Sequence, residues 1–197
     1  MKISKRGWIG GLVIVGLVAS LLLIVSVSRA GYETAAYTVV EKSGKIEIRD
    51  YEQLVIAETT MSGDQNGSFM RLFRYISGDN EAEQKIAMTT PVFMPGGEEG
   101  KTSKMQFVVP AEIAAAGAPA ASSDSIRLKT RPAGRYIAIR FNGPSTAANR
   151  AEHLEKLKAE VEKRGLKISG GPIYAGYDPP MTPGLLRRNE VLFRLAQ

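Results

Sequence analysis

Cysteine is absent from the 197 residues, and histidine occurs once, at His153. The first absence excludes disulfides, thiolate metal sites, a cysteine nucleophile and lipid attachment at sulfur. The second leaves little for a histidine-based catalytic pair or metal centre. There is no Gly-rich phosphate loop and no nucleophile–base constellation, which argues against most common enzyme classes. A basic face is also missing. The formal charge is +6, but Lys2, Lys5, Arg6 and Arg29 stand in a leader without an acidic residue, and the rest holds 22 basic against 20 acidic residues. A domain so balanced lacks the stripe of cations that nucleic-acid binding needs.

Charge is missing altogether from Gly7 to Ser28, a run dense in Leu, Val and Ile. As a helix its 22 residues rise about 33 Å at 1.5 Å each, enough to span the hydrocarbon core. Three cations before the run keep the N-terminus cytoplasmic and put the downstream chain on the far side, periplasmic in a bacterium. A cleaved signal peptide competes, because Ser28-Arg29-Ala30 offers small residues where a signal peptidase reads; the run exceeds the usual h-region of about 7–15 residues. Either way residues 1–31 export residues 32–197. Gly7 and Gly11 form one GxxxG spacing, weak as a helix-packing motif in a Gly-rich run.

The exported part, 44% hydrophobic and 23% charged over the chain as a whole, suits one core. Lys45–Arg49 alternates and Leu54–Met61 is rich in β-branched residues, so both read as strands. Gly63 marks a turn. Phe69, Leu72, Phe73 and Ile76 then fall on one helical face that ends near Gly78. Ile86–Met94 and Met105–Val109 read as a hairpin around a polar loop, with Pro91 at an edge or bulge. Ala111–Ser123 is a connector with room for one helical turn. Ile126–Lys129 and Tyr136–Phe141 are strands, Thr146–Arg164 the longest helix with Gly165 as its stop, and Ile173–Tyr177 and Val191–Leu195 the last strands. The order of elements repeats, with Gly63 and Gly143 at equivalent points. Two helices cannot cover both faces of so many strands, so the fold class is α+β with a curved, barrel-like antiparallel sheet flanked by two helices.

Three stretches resemble the SOUL haem-binding family: Lys85-Ile86-Ala87-Met88-Thr89-Thr90-Pro91-Val92, then Met105-Gln106-Phe107-Val108-Val109-Pro110, then Gly176-Tyr177-Asp178-Pro179-Pro180-Met181-Thr182-Pro183 followed by Arg187-Arg188-Asn189-Glu190-Val191. Tyr51 to Ala57 and Arg135 to Gly143 are similar too. The resemblance covers nearly all of residues 32–197. It implies a duplicated β-α-β-β unit closing into a distorted antiparallel β-barrel. It also implies non-covalent binding of haem or another tetrapyrrole in an apolar groove beside the first helix and near the Tyr-Asp-Pro-Pro segment. The matching positions are Phe69, Phe73, Arg74, Tyr177 and Met181, although this chain has Phe where relatives often have Met.

Haem needs apolar walls and a cation for its propionates. Phe69, Phe73, Tyr177 and Met181 are candidate walls and Arg74 the candidate cation. The plainer reading has Phe69 and Phe73 as core packing and Arg74 as a solvated charge. His153 lies roughly 90° from its helix's apolar stripe and between glutamates, so it reads as a surface residue; Tyr177, Met88 or Met181 are the remaining iron ligands. Asn189 and Glu190 read as a buried polar network or as capping at the start of a strand. Asp178-Pro179-Pro180 is a stiff loop. The expected role is buffering, carriage or scavenging of haem outside the cytoplasm, without chemistry on the ligand and without a protein-bound metal. The alternative is a module for another amphipathic small molecule or a protein partner; an open groove with a basic rim favours the tetrapyrrole, a filled barrel the alternative.

Overall fold

A computed structural model describes residues 31–61, 65–96, 103–179 and 181–196. The chain divides into two units, Met1–Tyr32 and Glu33–Gln197, and the second carries the β-sheet and its helices. The leader with its anchor and signal readings lies outside the described residues, as do Gly63 and Pro180. Among the described residues no helix is long and apolar enough to cross a membrane.

The elements are β1 (Glu33–Thr34), β2 (Tyr37–Ser43), β3 (Ile46–Tyr51), β4 (Leu54–Thr60), α1 (Gln65–Ile76), β5 (Thr89–Thr90), β6 (Val92–Pro95) and β7 (Lys104–Val108). Next come α2 (Ala111–Ala116), β8 (Ile126–Arg131), β9 (Gly134–Asn142), α3 (Ala147–Lys163), β10 (Ile168–Gly176), a 3-10 turn (Gly184–Leu186) and β11 (Arg188–Leu195). The expected strand over Ile86–Met94 is two short pieces interrupted at Pro91, which has no N–H to give a ladder. The first piece, β5, pairs in parallel with β1; the second, β6, forms the expected antiparallel pair with β7.

Nine strands form one sheet in the order β2-β3-β9-β11-β10-β6-β7-β4-β8. Its antiparallel ladders include β3 on β9 through Ile46↔Ile139 to Tyr51↔Gly134 and β4 on β8 through Leu54↔Arg131 to Thr59↔Ile126. The order mirrors itself about the β10–β6 pair: β9-β11-β10 on one side, β6-β7-β4 on the other. β3 flanks the far end of one triplet and β8 the far end of the other. Yet β3 runs into β4 through Glu52-Gln53 alone, and β8 into β9 through Pro132-Ala133 alone. Two residues reach at most about 10 Å, so opposite ends of the sheet are drawn together and it must curl. Edge strands β2 and β8 do not pair with each other. The closed barrel expected from the family resemblance is therefore a curled half-barrel, and the described residues hold three helices rather than two.

Curling gives most strands two buried faces, which explains their nearly unbroken apolar runs. On β9, Tyr136 and Ala138 face inward with Leu54, Ile56, Phe93, Val108 and Leu192. Ile137, Ile139 and Phe141 face outward beneath Leu157 and Val161 of α3. The matching outer cluster joins Ala57, Met105 and Phe107 to Leu72, Tyr75 and Ile76 of α1. The Thr146 hydroxyl caps α3 by accepting from the Asn149 N–H at 3.2 Å, and Gly165, at a φ of +61°, ends the run. We expect Thr146→Ala to cost about 1 kcal/mol in urea unfolding, as exposed N-caps do.

Candidate functional site

Helix α1 has two jobs, and its sequence shows both. Ser68, Leu72, Tyr75 and Ile76 are buried against the sheet, and the Tyr75 hydroxyl donates to the Pro119 carbonyl at 2.9 Å. The apolar face read from the sequence is therefore rotated, with Tyr75 taking the place given to Phe73. Phe73 is 42% exposed and Met70 45%. Phe69 lies between the two faces, edge-on to Phe107 of β7 at 5.2 Å and stacked on Phe73 at 6.0 Å.

The second face borders an open groove of about 430 Å³ on the outer side of the sheet, at the seam where β6 meets β10. Asn66, Phe69 and Met70 of α1 form one wall, and Val92, Met94 and Met105 contribute from β6 and β7. Ser145, Gly176, Asp178, Arg187 and Asn189 complete the lining. Gly176 matters because it lacks a side chain: a Cβ placed there meets no atom within 4 Å, so the glycine leaves the groove open. Asn189 is fixed by donating from Nδ2 to the Gly143 carbonyl at 2.8 Å. Arg187 donates from Nε to the Thr182 carbonyl at 2.9 Å, which orders the turn carrying Met181 and the far rim of the groove.

The candidate residues scatter around this groove rather than converging in it. Phe69 lines it, and Phe73 extends the wall by stacking on Phe69. Arg74 is exposed on α1 and outside the lining, where Arg187 is the cation. Met181 is 91% exposed on the rim segment. Tyr177 packs inside the half-barrel with Tyr51 and Phe93 and is not in the lining of this groove. Alternation decides this, since Gly176 and Tyr177 must face opposite sides of the sheet. Met88 packs in the α1 cluster. His153 stacks on Phe141 at 4.3 Å, its Nδ1 2.9 Å from the Asn149 carbonyl oxygen, so it is a packed residue more than a solvated one. It does not line the groove. Among the described residues no group of His, Asp and Glu could hold a metal ion.

Asn189 and Glu190 do join buried polar bonds, as the sequence suggests for them. The Glu190 side chain has no exposed surface. Its carboxylate accepts from Arg49 Nη1 at 2.6 Å and Nη2 at 3.0 Å, from Tyr177 Oη at 2.8 Å and from Arg188 Nη2 at 2.7 Å. Arg49 also donates to Glu47 at 2.8 Å, so two guanidiniums and two carboxylates balance inside the half-barrel. Burial alone would raise the Glu190 pKa, but the Arg49 bonds and the charges of Arg49 and Arg188 prevail and hold it below the usual carboxylate range. Burial pushes the Tyr177 hydroxyl well above its ordinary value. The centre is packed as well: Arg131 lies over the rings of Phe93 and Tyr136, 4.3 and 5.0 Å from their centroids. A ligand-sized opening therefore exists on the outer face while the inside is filled.

Met70, Met94, Met105, Gly176 and Arg187 are lining residues that the sequence reading passes over. Only the motifs around Met105, Gly176 and Arg187 point toward them, because they sit beside positions already singled out.

The SOUL heme-binding protein family matches residues 32–194. Heme-binding protein 1 of Xenopus tropicalis is 29% identical over 164 residues, covering 78% of this chain and 85% of that protein. Heme-binding protein 1 of Mus musculus is 31% identical over 128 residues, covering 61% and 66%. Among solved structures, the C-terminal domain of EcmrR superposes with a TM-score of 0.58 at 12% identity, over 82% of this chain and 98% of that one. A hydrolase from Listeria innocua gives a TM-score of 0.52 at 10% identity, over 80% and 94%. At such identities the two structures share the fold alone.

Proposed function

Since the chain belongs to the SOUL heme-binding protein family, we propose that it binds haem or a related tetrapyrrole non-covalently in the groove beside α1. The observation that carries this reading is an open, largely apolar concavity of about 430 Å³ with one arginine in its lining, within the ordinary range for small-molecule sites. Phe69, Phe73 and Met70 would meet one side of the disc. Val92, Met94 and Met105 would lie under it. The Arg187 guanidinium is the nearest cation for a propionate, and a charge-assisted bond there contributes about 1.5–3 kcal/mol. Arg74, exposed one turn along α1 from Met70, would be a second cation near the groove.

When bound, the haem supplies its own iron chemistry; the side chains of this chain wall it, orient it and exclude water from one face. No imidazole lines the groove, and the sulfurs of Met70, Met94 and Met105 are the soft donors that do. Such a site suits buffering, carriage or scavenging, with the ligand leaving unchanged. The charged-then-apolar pattern of residues 1–31 supports doing so outside the cytoplasm, tethered to the membrane or released from it.

A Soret titration of the purified protein tests the reading. A saturable red shift with about one haem per chain is expected, and no spectral change at micromolar haem overturns it. His153→Ala should leave the titration unchanged within error; a tenfold weaker affinity would put the imidazole at the iron.

A further inference from the structure

A second concavity, of about 420 Å³, lies where the end of β4 meets the starts of β7 and β8, with Arg71 of α1 beside them. The strand side chains Glu58, Lys104, Arg127 and Lys129 alternate with Ala57, Met105, Ile126 and Leu128 of the α1 cluster, so they face the side of the sheet opposite the groove. Its lining holds four cations, Arg71, Lys104, Arg127 and Lys129, against two carboxylates, Glu58 and Asp124.

The cations are held in place. Lys104 and Lys129 converge on one oxygen, Glu58 Oε1, at 3.1 and 2.8 Å. The other Glu58 oxygen accepts from Gln106 Nε2 at 2.8 Å, and Glu58 itself is buried. One carboxylate thus fixes two ammonium groups and neutralises one. Arg71 donates to Thr59 Oγ1, Thr60 O and Ser68 Oγ at 3.2, 2.8 and 3.0 Å. Thr59 Oγ1 donates onward to the Ser125 carbonyl at 2.8 Å. The Arg127 side chain makes no hydrogen bond or ion pair among the described residues. Behind Gln106, buried Arg131 spends Nη1 on Gln106 Oε1 at 3.3 Å, and its Nη2 has no partner among the described residues. The excess positive charge is therefore concentrated in a concave, partly desolvated place, where fields are focused.

We infer that this cavity is a binding site for a small multivalent oxyanion, a molecule bearing phosphates or several carboxylates. Arg127 and Arg71 would meet it with planar guanidinium donors, and the Lys104–Lys129 pair would meet it as a fixed double charge. A single negative charge leaves part of the excess unbalanced; two or more do not. The site is independent of the haem reading, since its lining shares no residue with the groove.

The test titrates the full-length chain with inorganic pyrophosphate, and in a parallel arm with citrate, at constant ionic strength. Backbone amide shifts and thermal unfolding are followed. We expect saturable shifts confined to residues 58–60, 71, 104 and 124–129, with a Kd below about 1 mM for one of the two probes; the tighter probe assigns phosphate or polycarboxylate chemistry. Arg127→Ala, which removes no bond of the fold, should keep the melting temperature and weaken binding at least about tenfold. Lys129→Gln should act in the same direction. Soret titration of Arg127→Ala should match the parent, which separates failure of this site from failure of the groove. Shifts that sodium chloride reproduces, no saturation with either probe, or binding indifferent to both substitutions overturns the inference.

Discussion

Glu190→Ala is expected to lower the unfolding free energy by about 3–5 kcal/mol, as removal of one member of a buried ion cluster does. The reason lies in what is left behind. Arg49 is 2% exposed on its side chain and Arg188 22%; without Glu190, Glu47 is the one carboxylate still bonded to either guanidinium among the described residues, and the Tyr177 hydroxyl loses its acceptor. Equilibrium urea unfolding checks this: the midpoint should fall with the slope unchanged. The same carboxylate sets a pH dependence. Its folded pKa lies below the ordinary value of 4.5, so at pH values between the two the unfolded chain binds the extra proton. Its stabilisation is therefore complete above about pH 4.5 and lost as pH falls through the lower folded value. Glu58, held below the usual range despite its burial by Lys129, Gln106 and Lys104, acts with the same sign. Acid unfolding of Glu190→Gln should be less steep than that of the parent, and equal steepness would show that the charge does not matter.

Gly176→Leu is expected to weaken haem binding by more than about tenfold, or about 1.4 kcal/mol, while leaving the fold intact. Position 176 closes β10 with its α-carbon toward the groove, and a Cβ there touches nothing within 4 Å. The backbone is not in the left-handed region that reserves a site for glycine, so a larger residue enters without strain and occupies the space between Val92 and Asn189, its neighbours on β6 and β11. Glycine in a strand adds no packing, so stability should stay level or rise. Soret titration and thermal unfolding of one sample give both readouts. Unchanged affinity in a stable Gly176→Leu protein would place the haem elsewhere. The same substitution should not alter pyrophosphate binding at the second cavity.

Much of the architecture is written in local patterns. Alternation and β-branching mark β3, β4 and β9; Thr146 and Gly165 bracket α3. β2 escapes because most of its side chains are exposed, and exposed edge positions carry no hydrophobic period. The strand exchange at the two short connectors also escapes, since periodicity identifies a strand but not its partner. Helix α1 shows a subtler limit. Phe69 and Phe73 bear on the groove while Ser68 and Tyr75 press on the sheet, and a helix with two purposes carries two apolar sectors that one stripe cannot separate. Tyr177 is legible as important through its Pro-rich neighbourhood, yet which side of the sheet it faces depends on register, fixed by pairs such as Gly176↔Asn189. The scattered methionines of the groove come from three elements and meet only in the folded chain.

The short connectors at residues 52–53 and 132–133 mean that neither repeat owns a complete sheet: each lends its opening strand to the other. Such mutual lending ties the halves in a handshake that neither can complete alone, so the molecule must assemble by long-range pairing rather than by finishing one lobe first.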